Sequence, residues 1–275
     1  MKDSTNFFLK KQDYLKGIQH RVRLGASHYL QLSFNPEKFP LISQKMEQTF
    51  ALDHSSSQRN RQKNINFKPV ADGFYFFDGS QVHLTILFTL PDSFKESPNF
   101  KKDFSSQTQY LNESYTLDRK ENFHSIYDKK NRLTIYSSGY PVYVLNCMEL
   151  PERLSRSGAS HQWVWRLHSD FRKGKLEKLL FILEKARNLP KSSKEKELPK
   201  LISKLDHELF LLNKLCPFWG VQDDVTSIRR KFKKRVSRSF VPYEVDLFHP
   251  EYKGFYISKV TKPLFIKKIK ALSNG

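Results

Sequence analysis

Apolar and polar residues alternate over His28 to Phe34 (HYLQLSF), and this period of two, rich in aromatic and aliphatic groups, predicts a β-strand. Asn35-Pro36-Glu37 reads as a turn. Leu41, Ile42, Lys45, Met46 and Phe50 fall at helical spacing, so a helix through about Ala51 is expected. Asp53 to Lys63 (DHSSSQRNRQK) contains no apolar residue and is expected to be an exposed loop. Two strands follow, Phe67 to Phe77, interrupted at Asp72-Gly73, and Val82 to Leu90. The Asp78-Gly79-Ser80 between them is a hairpin signal. The order strand, helix, strand, strand opens a split βαβ, or ferredoxin-like, arrangement.

Pro91 to Asn131 is polar with scattered rings and no sustained period, which predicts a long surface excursion with short helical turns. Arg132 to Glu149 returns to strand chemistry, with a turn at Ser138-Gly139 or Tyr140-Pro141. Gln162 to His168 adds a strand with Trp163, Trp165 and Leu167 on one face and Val164, Arg166 and His168 on the other. Leu176, Leu179, Leu180, Leu183 and Ala186 then keep helical spacing, as do Leu201, Ile202, Leu205, Leu209, Leu212 and Leu215. The short polar link at Pro190 makes these an antiparallel αα-hairpin.

The most distinctive segment is Ile228 to Arg238 (IRRKFKKRVSR). Ile228, Phe232 and Val236 form a narrow apolar stripe, and Arg229, Arg230, Lys231, Lys233, Lys234, Arg235 and Arg238 occupy the other positions. Asp223 and Asp224 precede it, where carboxylates favour a helix N-terminus. From Lys253 to Lys270 six lysines, Lys259 and Lys262 among them, meet no acidic residue, and Phe255, Tyr256 and Phe265 are interleaved. The charge balance follows this distribution. The 275-residue chain carries +20, with 20 Lys+Arg against 15 Asp+Glu in residues 1–150 and 28 against 13 in residues 151–275.

Such a surface attracts polyanions. Each Lys or Arg that neutralises a phosphate releases a condensed counterion, and exposed rings can stack on unpaired bases. A nucleic acid, DNA or RNA, is therefore the expected partner, gripped by Arg229, Arg230, Lys231, Lys233, Lys234, Arg235, Arg238, Lys259 and Lys262. An acidic protein is the other partner such a run fits, and a solvated helix face or a nuclear-localisation-like signal would have the same composition. The stripe is too narrow for interfacial insertion into a membrane.

Composition excludes several classes. Aromatic residues make up 14% of the chain, too many for general disorder. There is no Walker-type loop and no GxGxxG, which disfavours nucleotide hydrolysis and dinucleotide redox chemistry. Cys147 and Cys216 lack any CxxC or Cys/His ligand spacing and read as free thiols in a reducing compartment. Met1 to Leu24 shows no apolar signal core, and runs such as Val82 to Leu90 are about half a membrane span, so a cytoplasmic location without a membrane span is expected, with the nucleus or nucleoid as the alternative.

An enzyme reading is the alternative. Glu244 and Asp246 would share one strand face, the spacing used in two-metal phosphoryl transfer, and Mg²⁺ would enter only under that reading; otherwise no cofactor is expected. His83 enters an apolar strand alone, without a His-x-His partner, and is the remaining catalytic candidate. Phe255 to Lys262 (FYISKVTK) resembles locally the Tyr-x-x-Lys segment near the C-termini of some phage and plasmid replication proteins. The strand–helix–strand–strand order is also similar in outline to palm-type folds of replication and RNA-processing proteins. That resemblance implies a role in replicating or processing a mobile element. The expected architecture is α+β: a sheet domain in residues 1–170 with its polar excursion at about 91–131, then a mainly helical basic region in residues 171–275 ending in a strand or tail.

Overall fold

The Asp78-Gly79 turn joins two neighbouring strands of the first folding unit at an exposed hairpin tip. Gly79 takes a φ of +103°, a conformation that favours glycine, and Asp78 Oδ1 accepts hydrogen bonds from the Ser80 amide, the Ser80 hydroxyl and the Gln81 amide at 2.8–2.9 Å. In the computed structural model the described residues are 5–64, 68–96, 99–115, 123–137, 139–149, 161–239, 241, 243–245 and 257–273. The chain divides into two units, one of residues 1–133, 147–163 and 255–275, the other of residues 134–146 and 164–254. This differs from a single cut at residue 170, because the C-terminal segment returns to the first unit.

The first unit runs β1 (Thr5–Phe8), α1 (Lys11–Arg23), β2 (His28–Phe34), a 3-10 turn at Pro36–Lys38, α2 (Phe39–Phe50), α3 (Ser56–Asn64), β3 (Val70–Phe77), β4 (Val82–Thr89), α4 (Asp92–Lys95), α5 (Phe104–Ser114) and β5 (His124–Ser125), with a C-terminal helix at Lys262–Ser273. The sheet order is β1-β3-β4-β2-β5. Both β2 and β3 run antiparallel to β4, which lies between them, and β1 adds a parallel pair at the edge. One core contains Phe7, Phe34, Tyr75, Phe77, Leu84, Ile86 and Phe88 of the sheet with Phe39, Met46 and Phe50 of α2, Leu111 of α5, and Phe265 and Ile269 of the C-terminal helix. Phe265 is fully buried, with its ring 5.3 Å from that of Phe7 and 5.4 Å from that of Phe39. Burial of such a ring contributes about 1.5–3 kcal/mol, which accounts for the return of the C-terminus to this unit.

Four features depart from the sequence expectations. Tyr14, Leu15, Ile18 and Val22 are buried on α1, a helix that was not anticipated. The polar stretch expected as a loop contains α3, started by a reciprocal pair in which the Ser55 amide donates to Gln58 Oε1 and the Gln58 amide donates to Ser55 Oγ. Its Arg59 donates to the buried Asp72, which also takes Arg21. The excursion after Pro91 contributes α5 to the core. The basic C-terminal tail is a helix, preceded by a single bridge from Val260 to Phe7, and not a strand.

His28 opens β2 fully buried, with Nδ1 3.0 Å from Ser27 Oγ and no partner at Nε2. Desolvation lowers its pKa from 6.5 to about 4. The unfolded imidazole therefore binds a proton that the folded one refuses between those values. Stability is fully present above about pH 6.5 and is lost as pH falls toward 4, by about 3 kcal/mol. Urea midpoints of wild type and His28→Gln across pH 7 to 4.5 check this: the wild-type curve should be the steeper, and parallel curves would contradict it.

A second sheet has the order β6-β7-β8, with β6 (Thr134–Ser137), β7 (Tyr140–Glu149) and β8 (His161–Leu167); the second unit holds β6, residues 140–146 of β7 and 164–167 of β8, followed by α6 (Ser169–Arg187), α7 (Lys191–Asn213) and α8 (Trp219–Val236). The expected αα-hairpin is α6–α7, and α7 continues through Pro199. Leu179, Ile182, Leu183 and Ala186 of α6 and Leu201, Leu205, Leu209 and Leu212 of α7 are buried, as the spacing required. Among the described residues, no helix is long and apolar enough to cross a membrane.

Grouping residues by unit changes the charge picture. The first unit carries 27 Lys+Arg against 16 Asp+Glu, a net of +11, and the second 21 against 12, a net of +9. The threefold asymmetry between sequence halves is therefore not an asymmetry between folded bodies. Any binding surface must be found from local, unpaired charge.

Candidate nucleic-acid interface

The helix α8 is longer than its basic run. It starts at Trp219, and its buried stripe reaches back from Val236, Phe232 and Ile228 through Val225 to Val221, at steps of three and four. Its first turn lies against β8: a Cβ added to Gly220 would sit 2.5 Å from the Trp165 carbonyl oxygen and 2.5 Å from Val164 Cγ1. Gly220→Ala should therefore force the backbones apart at a cost of at least about 1–3 kcal/mol, read as a lower urea midpoint; an unchanged midpoint would contradict this packing.

Asp223 and Asp224 lie inside the helix, not before it as the sequence suggested. Asp224 is 0% exposed and anchors α8. Arg166 donates to it through Nε at 2.9 Å and Nη2 at 2.6 Å, Arg172 Nη1 at 3.0 Å, and the Leu167 amide at 2.9 Å. These bonds raise the Arg166 pKa further. Asp223 is held above the usual carboxylate range by desolvation, partly offset by Arg166.

This anchoring leaves the C-terminal half of α8 outward. Arg230, Lys231, Lys233, Lys234 and Arg235 are exposed, as is Arg238 just beyond the helix. Arg229 corrects the expectation for this run: it is 2% exposed, and its Nη2 donates to the Leu209 carbonyl at 3.1 Å and to Asn213 Oδ1 at 2.6 Å. It ties α8 to α7 and is not presented to a phosphate.

Several cations elsewhere are compensated. Glu208 takes Lys175 at 3.2 Å and Lys178 at 2.7 Å, Glu197 takes Lys200 at 2.9 Å, and Asp92 takes Lys63 at 2.9 Å. Among the described residues no carboxylate pairs with Lys231, Lys233, Lys234, Arg235 or Arg238. Arg230 and Lys234, and Lys231 and Arg235, are like charges at i,i+4, each pair costing a few tenths of a kcal/mol. The negative end of the helix dipole offsets part of that repulsion. The result is a dense positive surface on a rigid support.

The other expected contacts fall in the first unit. Lys259 is exposed, whereas Lys262 is partly buried and donates to Glu47 Oε1 at 2.6 Å, so its charge is already neutralised. Tyr256 and Phe255, with the Tyr-x-x-Lys resemblance that includes them, lie outside the described residues. Tyr243 donates to Asp206 Oδ1 at 2.7 Å, and its ring lies 6.4 Å from that of Phe232, so it serves packing.

Exposed rings appear where the sequence did not single them out. Phe181 of α6 is 61% exposed with Lys185 Nζ 4.5 Å from its ring centroid; Phe210 of α7 is 51% exposed with Lys214 at 4.6 Å; Trp219 at the start of α8 is 49% exposed. Phe181 and Phe210 are rings beside positive charge, and all three are exposed enough to stack on a base. The available signal was an aromatic residue outside the leucine spacing of its helix.

The enzyme candidates separate. Glu244 is exposed in residues 243–245, which form no strand, and Asp246 lies outside the described residues. His83 lies in the first unit, with Nε2 2.8 Å from Asp78 Oδ2 and Nδ1 2.9 Å from Ser33 Oγ. Among the described residues no three His, Cys, Asp or Glu side chains gather as metal ligands. No family model, curated protein or solved structure matches this chain.

Proposed function

We propose that the protein binds nucleic acid through its phosphate backbone, with the C-terminal half of α8 as the principal contact. The observation that supports this is the dense set Lys231, Lys233, Lys234 and Arg235 on one buried-anchored helix, with Arg238 just beyond its end, none of them paired with a carboxylate among the described residues. A phosphate lattice is the ligand that matches a row of point charges with little demand for geometry. Three of the five are lysines, which read charge without the bidentate fork that base edges require. Binding is therefore sequence-independent. Phe181, Phe210 and Trp219 favour single strands, whose bases are free to stack.

Fluorescence anisotropy with labelled single- and double-stranded DNA and RNA of mixed sequence tests the reading. Binding at about micromolar Kd in 50 mM salt is expected, tighter for single strands and indifferent to sequence. Absence of binding at that salt to all four ligands would overturn it. Equal retention by polyglutamate would assign the surface to an acidic protein partner instead.

A further inference from the structure

On the face of the sheet opposite the Phe34 and Phe77 core, the hydrogen-bonded series Ser33–His83–Asp78 has no role in nucleic-acid binding. Ser33 of β2 and His83 of β4 are direct cross-strand partners, with Oγ 2.9 Å from Nδ1. The other imidazole nitrogen, Nε2, lies 2.8 Å from Asp78 Oδ2. Asp78 is itself fixed: its second oxygen takes two backbone amides and the Ser80 hydroxyl at the hairpin tip. Burial works against its ionisation, but the bonds from the Gln81 amide, His83 and Ser80 hold its carboxyl well below the usual carboxylate range. An ionised carboxylate only accepts hydrogen bonds, so His83 Nε2 donates to it, and in the neutral imidazole Nδ1 is the bare nitrogen. A bare Nδ1 can only accept, and the Ser33 hydroxyl therefore points its proton at His83. The ring plane of His83 is set by Phe76, stacked at 6.1 Å with an interplanar angle of 17°.

We propose that Ser33, His83 and Asp78 form a nucleophilic acyl-transfer site that hydrolyses small carboxylic esters. Ser33 is solvent-exposed, so an ester carbonyl reaches Oγ without rearrangement of the sheet. The nucleophile, its base and the group orienting the base are each within hydrogen-bond reach of the next, on two strands and a tight turn. Gln31, two residues back on β2, shares the Ser33 face at a spacing of about 7 Å. Its amide Nε2 donates to Thr85 Oγ1 at 3.3 Å and keeps a second hydrogen for the carbonyl oxygen.

The reaction closes with water as the only co-reactant. Ser33 Oγ bonds to the ester carbonyl carbon as its proton passes to His83 Nδ1. The tetrahedral adduct collapses, the carbon–oxygen bond to the leaving group breaks, and the departing alkoxide takes the proton from His83. Water then attacks the acyl-serine, giving its proton to His83; the acyl–Oγ bond breaks, the carboxylic acid leaves, and Ser33 recovers its proton. Asp78 stays ionised throughout and orients the imidazole.

The purified full-length chain, incubated with a fluorophosphonate probe and digested for mass spectrometry, should carry the adduct on Ser33. With p-nitrophenyl acetate it should turn over, and Ser33→Ala should lower kcat by about 100-fold or more. Asp78→Asn keeps an oxygen for the turn amides but donates to Nε2, forcing the proton to Nδ1. It should lower kcat with KM unchanged, while circular dichroism shows the wild-type fold at the assay temperature, even though loss of the carboxylate lowers the urea midpoint. A folded protein whose Ser33 is unlabelled, or a Ser33→Ala variant that hydrolyses the ester at the wild-type rate, would overturn the proposal. Nucleic-acid binding by α8, in the other unit, should be the same in all these variants.

Discussion

Replacing Arg166 and Arg172 together with Met will destabilise the second unit by about 3–5 kcal/mol, and replacing Asp224 with Asn by about half as much. The asymmetry follows from exposure. Arg166 and Arg172 side chains are 25% and 42% exposed, whereas the Asp224 side chain is 0% exposed. Removal of the carboxylate leaves two guanidinium groups that can turn to water. Removal of the arginines leaves a buried anion with one remaining donor, the Leu167 amide. Urea denaturation followed by tryptophan fluorescence measures both, since Trp165 belongs to this unit. Because Asp224 sets the rotation of α8, loosening it should also weaken nucleic-acid binding, although no exposed cation has changed. Equal stability of the double Met variant and wild type would mean that the ion cluster does not hold the helix.

The second large effect is on binding alone. Changing Lys231, Lys233, Lys234 and Arg235 to Gln should weaken binding to single-stranded nucleic acid by about 100-fold or more near 100 mM salt, nearly uniformly across sequences. The urea midpoint should not fall, because the substitution also relieves the i,i+4 repulsions on α8. Arg229→Gln behaves oppositely: it removes bonds to Leu209 and Asn213, lowers stability, and changes affinity only as far as the helix shifts. Competition anisotropy and denaturation on the same preparations separate the two classes.

These contrasts show which features were legible in the sequence. The hairpin at Asp78-Gly79 was readable because its turn chemistry is local, and the αα-hairpin because leucines repeat at one period on both helices. The pattern around α3 was misread: its helix depends on Ser55 and Gln58 capping each other and on Arg59 reaching Asp72, a partner on β3. The C-terminal helix was misread because its lysines drew attention from Phe265 and Ile269, which bury against β1 and α2. In the basic run, the period located the stripe but not Arg229. That residue precedes Phe232 by three and follows Val225 by four, so helical geometry already placed it beside the buried face. The Ser33–His83–Asp78 series needs a strand register, Ser33 opposite His83, that no single segment contains.

The electrostatic claim is tested most directly by the salt dependence of binding. The logarithm of the association constant for a single-stranded 20-mer should fall linearly with the logarithm of salt concentration. The slope expected from the five unpaired cations of α8 and Arg238 is about −3 to −4, at about 0.7 per neutralised phosphate on a single strand. The fourfold Gln variant should lose about three of that slope. A flat wild-type response, or a slope unchanged by those four substitutions, would contradict α8 as the phosphate-binding surface.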